Sequence, residues 1–146
     1  MSNVKPIPEG ANTITPYLIV EGADGLIEFT KRVFDAVEIA RMLRPDGKIA
    51  HAEVRIGNSN LMLSEVTAQH GVTPAMLYVY VPDVDATYRK ALDAGATSVG
   101  EPKNQFYGDR SAGVKDVYGN YWGIGTHVED VTLEEMERRM KAMPAH

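Results

Sequence analysis

Residues 49–65 read IAHAEVRIGNSNLMLSE: an alternating run from Ile49 to Ile56, a four-residue Gly/Asn turn, and a return run from Leu61 to Glu65. Period-two alternation either side of residues that tolerate positive φ is the mark of a β-hairpin. Immediately upstream, PDG (45–47) reverses the chain, because Pro presets one dihedral and Gly accepts positive φ. It connects the hairpin to another strand, VEIARMLR (37–44). Before that strand, Asp24 is placed to cap a helix running through Ala36, with Leu26, Ile27, Phe29, Val33 and Phe34 forming a wide apolar stripe. The first strand is NTITPYLIV (12–20), where Ile14, Leu18 and Val20 alternate with Thr15, Tyr17 and Ile19. The first half of the chain therefore reads β-α-β-β-β.

Downstream, VTAQHGVTP (66–74) breaks the pattern as a linker, and the same order begins again. MLYVYV (76–81) is a strand, DVDATYRKALDAGA (83–96) a helix closed by Gly95, and TSVG (97–100) the start of another strand. An irregular EPKNQF (101–106) leads to a hairpin of Arg110–Lys115 and Tyr121–Thr126. Val20 and Val81 lie 61 residues apart, and Asn60 and Asn120 lie 60 apart, so the simplest reading is two copies of one supersecondary unit. TLEEMERRMKAM (132–143) adds a charged helix with Thr132 as N-cap and Glu135 three residues on, a capping box. The expected organisation is one domain over 1–146: a first module over about 12–66, a linker over about 67–75, a second module over about 76–127, and a terminal helix over about 132–142.

The absence of cysteine excludes disulfides, thiolate metal ligands and cysteine nucleophiles together. The net charge of −5 is interrupted by no basic stripe, which argues against a nucleic-acid partner. No run approaches about 18 apolar residues, so no membrane span or membrane partner is expected. The N-terminal stretch lacks the apolar core of a leader and reads as a cytoplasmic start. GADG (22–25) and GDRSAG (108–113) lack the context of a phosphate loop, and Ser111 has no evident base.

Two βαβββ units make an α+β protein in which curled mixed sheets, each covered by a helix, surround a concave cup. Alternation then sorts the side chains. On the third strand Ala50, Ala52, Val54 and Ile56 go to the helix side and His51, Glu53 and Arg55 to the cup. On MLYVYV, Leu77, Val79 and Val81 face the helix and Met76, Tyr78 and Tyr80 the cup. On the last strand Trp122, Ile124 and Thr126 pack outward, while Tyr121, Gly123 and Gly125 line the cup, the glycines making room in a pocket.

The doubled order resembles the vicinal oxygen chelate superfamily, which includes glyoxalase I, bleomycin-resistance proteins and extradiol dioxygenases. IAHAEVRIGNSNLMLSE and YGDRSAGVKDVYGNYWGIGTHVEDVTLEEMERR (107–139) resemble its PhnB-like branch more narrowly, with DVYG where that branch usually has DPFG. The resemblance implies homodimers and, in the enzymes, one divalent metal held by His, Glu or Gln. It places those ligand positions on or near Thr15, Leu63, Met76 and Gly123, none a competent ligand, so no cofactor is expected and a divalent metal is the minor alternative.

The candidate ligand-binding residues are His51, Glu53, Arg55, Tyr78, Tyr80, Arg110 and Tyr121, with Glu65 also assigned to the cup. His51, Glu53 and Glu65 offer an unorthodox metal site on paper, against the plainer reading of solvated strand residues. Arg110 at the rim suits a carboxylate or phosphate; the alternative is an ion pair with Asp109 or Asp116. The tyrosines suit a planar or apolar ligand, or else fill the cup or a dimer seam. His70 falls in the linker, His146 at the terminus, and His127 is placed either to orient the terminal helix or to touch ligand. Three functions remain open: a metal-free small-molecule-binding protein, a metal-dependent glyoxalase-like lyase or dioxygenase, and a metal-free acid/base enzyme using Glu53, His51 or a tyrosine.

Overall fold

The computed structural model describes residues 3–144, so His146 lies outside the described residues. The chain divides into two compact units, Met1–Ala75 and Met76–His146.

In the first unit, β1 (Tyr17–Val20), α1 (Ala23–Phe34), β2 (Val37–Leu43), β3 (Ile49–Ile56) and β4 (Ser59–Glu65) follow one another. The strands form a mixed sheet in the order β1-β4-β3-β2, with β1 parallel to β4 and the other pairs antiparallel. Leu18, Val20, Ala52, Val54, Leu61 and Leu63 are buried with Leu26, Ile27, Phe29 and Val33 of α1. β1 is shorter than the alternation predicts: Pro16 has no N–H for a ladder, the strand begins after it, and Ile14 is exposed. Alternation also slips at Ala50. A bulge pairs Met42 with His51 and Leu43 with Ile49, leaving Ala50 exposed and burying Ile49 instead. The hairpin turn tightens to Gly57 and Asn58, so β4 starts at Ser59. Part of the expected linker is structured, since Thr73 bridges Ile19 with two backbone hydrogen bonds of 2.8 and 3.4 Å.

The N-terminus of α1 departs from expectation. Gly22, in the left-handed region at φ 90°, is the N-cap, and Asp24 lies within the first turn. The cap comes from β4: Glu65 accepts from the Gly22 N–H (2.9 and 3.1 Å) and from the Ala23 N–H (3.0 Å). A carboxylate facing the otherwise unpaired N–H groups of a helix is held by charge-assisted hydrogen bonds and the helix dipole. Glu65 is buried on the same side of β4 as Leu63 and Leu61, two and four residues before it, and does not line the cup as expected.

The second unit repeats the order: β5 (Met76–Tyr80), α2 (Val84–Asp93), β6 (Thr97–Asn104), β7 (Asp109–Lys115) and β8 (Tyr121–His127), then α3 (Leu133–Lys141). Its sheet runs β5-β8-β7-β6, again with the outer pair β5 and β8 parallel. Two register shifts let β6 carry through the expected irregular stretch to Asn104; Pro102 is tolerated there because β6 is an edge strand. Asp83 caps α2 through the Ala86 N–H, and Thr132 caps α3 through the Glu135 N–H. The Glu135 side chain pairs with Arg138 and Arg139 rather than completing a capping box.

The DVYGN turn between β7 and β8 is organised by buried Asp116. Its carboxylate accepts from the backbone N–H groups of Tyr118 and Asn120, from the Asn120 amide and, at 2.8 Å, from the Trp122 indole. The turn is thereby tied to the largest fully buried side chain of the unit. Among the described residues, no helix is long and apolar enough to cross a membrane.

Candidate functional site

In each unit the helix covers one sheet face, and the alternating residues of the strands mark the other. In the second unit the pairing of β7 with β8 puts Asp109, Ser111, Gly113 and Lys115 opposite His127, Gly125, Gly123 and Tyr121. The parallel pairing of β5 with β8 then brings Tyr78 beside Gly123 and Tyr80 beside Gly125. Trp122, Ile124, Ala112 and Val114 occupy the opposite, buried face.

The glycines make room, but for a side chain of the protein. A Cβ on Gly123 would come within 2.7 Å of the Tyr78 ring, and one on Gly125 would overlap its hydroxyl. Tyr78 thus lies across the glycine strand. Its hydroxyl donates to Asp109 Oδ2 at 2.9 Å, and the Tyr80 hydroxyl donates to the same oxygen at 2.9 Å. The two rings meet edge to face, centroids 5.1 Å apart. His127 Nδ1 is 2.8 Å from Asp109 Oδ1, while its Nε2 is 2.8 Å from Asp130 Oδ1. Asp109 is only 3% exposed, so a carboxylate that burial alone would leave costly is satisfied by two phenols and an imidazole.

The electrostatics follow. Burial and the hydrogen bond to Asp109 push the Tyr78 phenol far above its ordinary range, and the hydrogen bond to Asp109 also raises Tyr80. Burial opposes ionisation of Asp109, but hydrogen bonds from His127, Tyr80 and Tyr78 hold it below the usual carboxylate range. The hydrogen bonds to Asp109 and Asp130 raise His127. At neutral pH the tyrosines stay protonated around an ionised carboxylate.

Each residue of the GDR sequence has its own task. Gly108, at φ 102°, passes beneath the chain at Glu129, whose carbonyl a Cβ would overlap. Asp109 gathers the tyrosines and His127. Arg110 points to the helix side, where Nε and Nη2 donate to Asp85 of α2 at 2.8 and 3.0 Å. It is therefore engaged in a salt bridge away from the tyrosines rather than standing at a rim, and the partner is neither Asp109 nor Asp116. Tyr121 stays on the face beside Lys115, whose Nζ lies 6.0 Å from the ring centroid.

In the first unit, His51, Glu53 and Arg55 do share the helix-free face. Glu53 pairs across to Met62 and Arg55 to Asn60. Arg55 Nη1 donates to Asn60 Oδ1 at 2.8 Å, Asn60 Nδ2 donates to Glu53 Oε2 at 2.8 Å, and the Tyr17 hydroxyl lies 3.2 Å from His51 Nδ1. Glu65 does not join His51 and Glu53.

The four positions that the resemblance equates with metal ligands do not make a donor set. Thr15 has a neutral hydroxyl, Met76 an exposed thioether and Gly123 no side chain. Leu63 is fully buried on the helix side, so the face residues of β4 are instead its neighbours Met62 and Ser64. Among the described residues no three His, Cys, Asp or Glu side chains are grouped to hold an ion. These residues do not fit the divalent metal of the family's enzymes.

Sequence reasoning missed Asp109 as the hub. A signal was present: continuing the alternation back from Lys115 puts Asp109 on the face of Tyr121 and Gly123, opposite His127.

Comparison with known proteins places this architecture. The chain is 36% identical to an uncharacterized protein of Mycobacterium bovis over 96% of its length and 95% of the relative's. It is equally similar to an uncharacterized protein of Mycobacterium tuberculosis, covering 85% of that protein. Among solved structures, TioX from Micromonospora sp. ML1 matches with a TM-score of 0.67 and 25% identity, over 81% of this chain and all of that one. The PhnB protein from Bacillus cereus matches in fold with a TM-score of 0.65 and 21% identity, over 79% of this chain and 99% of that one. The model of the Glyoxalase/Bleomycin resistance protein/Dioxygenase superfamily matches residues 11–124, and the chain belongs to that superfamily.

Proposed function

We propose that this protein binds a planar organic cation on the tyrosine face of its second sheet, without the divalent metal of the family's enzymes. The observation that carries the proposal is the buried Asp109 gathering the hydroxyls of Tyr78 and Tyr80. Each phenol keeps its proton and directs that O–H to Asp109, so what it offers a ligand is an acceptor oxygen and an aromatic ring. Rings and acceptors beside an ionised carboxylate complement a flat, positively charged molecule. Tyr121 and its neighbour Lys115 show the same ring–cation geometry within the chain. Met76, Tyr80, Ile39 and Met42, all more than half exposed, support pairing of two copies.

The test is calorimetric titration with a planar aromatic cation, acridine orange, alongside metal analysis of untagged protein purified without chelators. The expected result is saturable binding, weakened about tenfold in Tyr80→Ala, with only traces of metal. Affinity unchanged from the unmodified protein in both Tyr78→Ala and Tyr80→Ala, or no binding, overturns the ligand site. One zinc, nickel, manganese or iron per chain overturns the metal-free reading and favours a glyoxalase-like lyase or dioxygenase. Light scattering at the mass of a single chain overturns pairing. A metal-free acid/base enzyme has less support, because His127 and both tyrosines are shifted toward their protonated forms.

A further inference from the structure

A cavity lies wholly within the first unit. Residues 6–13 enclose, with the helix-free face of the sheet, a space of about 540 Å³. Ile7, Ile39 and Met62 contribute apolar walls, and Glu53, Asn60 and Arg55 the polar one. The segment is held by the Gly10 carbonyl, which accepts from Arg55 Nη1 at 2.6 Å, and by Asn12 Nδ2, which donates to the Asn58 carbonyl at 3.3 Å. Gly10 has φ 82°, a conformation that favours glycine and turns this part of the chain. Residues 6–10 are otherwise exposed, so few interactions oppose lifting the segment.

The polar wall has an unusual balance. Glu53 and Arg55 share one face of β3, roughly 7 Å apart along the strand. Asn60 stands between them in the hydrogen-bond chain, accepting from Arg55 and donating to Glu53. The hydrogen bonds thus link a half-buried cation and a half-buried anion through a neutral amide, and the cation's other bond goes to a backbone carbonyl. Those bonds use only Nη1 of the guanidinium and only Oε2 of the carboxylate. Nε and Nη2 of Arg55 remain to grip a carboxylate, and Oε1 of Glu53 remains to accept from an ammonium group. A ligand complementary to both carries a carboxylate and an ammonium a few atoms apart, with an apolar remainder.

We propose that this cavity binds a free α-amino acid with an apolar side chain, its carboxylate on Arg55, its ammonium on Glu53 and its side chain against Ile7, Ile39 and Met62. Residues 6–13 form a strap that lifts to admit it and closes through Gly10 and Arg55.

Calorimetric titration of the full-length protein with L-leucine, N-acetyl-L-leucine and L-leucinamide tests this directly. The expected result is one L-leucine per chain, with each analogue at least tenfold weaker because each lacks one of the two charges. Arg55→Gln and Glu53→Gln should each lose at least tenfold in affinity for L-leucine, with unfolding midpoints confirming that the variants fold. Absence of L-leucine binding at millimolar concentration, equal binding of the analogues, or unchanged affinity in folded variants overturns the proposal. The analogue comparison on unmodified protein decides the question even if a variant fails to fold. Acridine orange titrated on the same sample reports the tyrosine face, so loss of either reading is distinguished from loss of the other.

Discussion

The two units share one strand order and use their helix-free faces differently. On the first, the face is a polar chain of Arg55, Asn60 and Glu53 beneath the N-terminal strap. On the second, a glycine strand is overlaid by Tyr78, and the hydroxyls of Tyr78 and Tyr80 meet on Asp109. The helix caps differ in the same way. α1 borrows its cap from the neighbouring strand β4, through Glu65, whereas α2 takes it from the adjacent Asp83. Topology specifies which residues share a face, and what that face does depends on a few side chains.

The largest effect is expected at Gly108. Gly108→Ala forces a Cβ onto the Glu129 carbonyl at φ 102°, and should cost about 3 kcal/mol or more. Its counterpart for comparison is Gly47→Ala in the first unit, where φ is 84° but the space is open; the expected cost is about 1 kcal/mol. Urea unfolding of both variants checks the difference, and equal losses would mean that the passage beneath Glu129 can relax.

Next comes the hub. Asp109→Ala leaves two phenols and an imidazole without their common acceptor and should cost about 2 kcal/mol, because a group designed to be paired is then left buried or disordered. Cation binding should fall with it. A smaller contrast separates the caps: Glu65→Ala, which strips two backbone N–H groups in a buried setting, should cost about 2 kcal/mol, against about 1 kcal/mol for Asp83→Ala. Equal melting-temperature losses would remove the distinction between a cap borrowed through tertiary structure and a local one.

The smallest effects concern pH. His127 is raised by Asp109 and Asp130, so its contribution is complete below the unfolded pKa near 6.5 and fades as pH rises through the folded value. Asp109 is depressed, so its contribution is present above about pH 4 and is lost as pH falls through the folded value. His127→Gln should flatten the decline in stability on the alkaline side, and Asp109→Asn should flatten the acid limb and also weaken the alkaline one, because Asp109 is the main partner that raises His127. Denaturant midpoints measured from pH 3 to pH 9 check both, with the acid limb lost in Asp109→Asn and largely kept in His127→Gln.

Much of this fold was legible from local pattern. Alternation along residues 49–56 and 76–80 separated Glu53 and Arg55 from Val54, and Tyr78 from Val79, because a pleated strand sends neighbours to opposite faces. It failed where a bulge or a prolonged strand shifted the count, at Ala50 and along 101–104. The charged candidates were harder. Arg110 and Asp109 are neighbours that a one-residue shift exchanges; alternation counted back from Lys115 favours Asp109, and its pairing with His127 fixes that it joins the tyrosines.

The sequence by itself determined the doubled βαβββ order, the superfamily and the aromatic character of the second face, since these rest on periodicity, turn residues and motifs that act over a few neighbours. Only the tertiary structure decided that Glu65 caps a helix rather than lining a site, that Arg110 answers Asp85, and that two glycines accommodate Tyr78. Each of those outcomes joins residues 25 to 47 positions apart, and no local preference encodes which distant partner a side chain will meet.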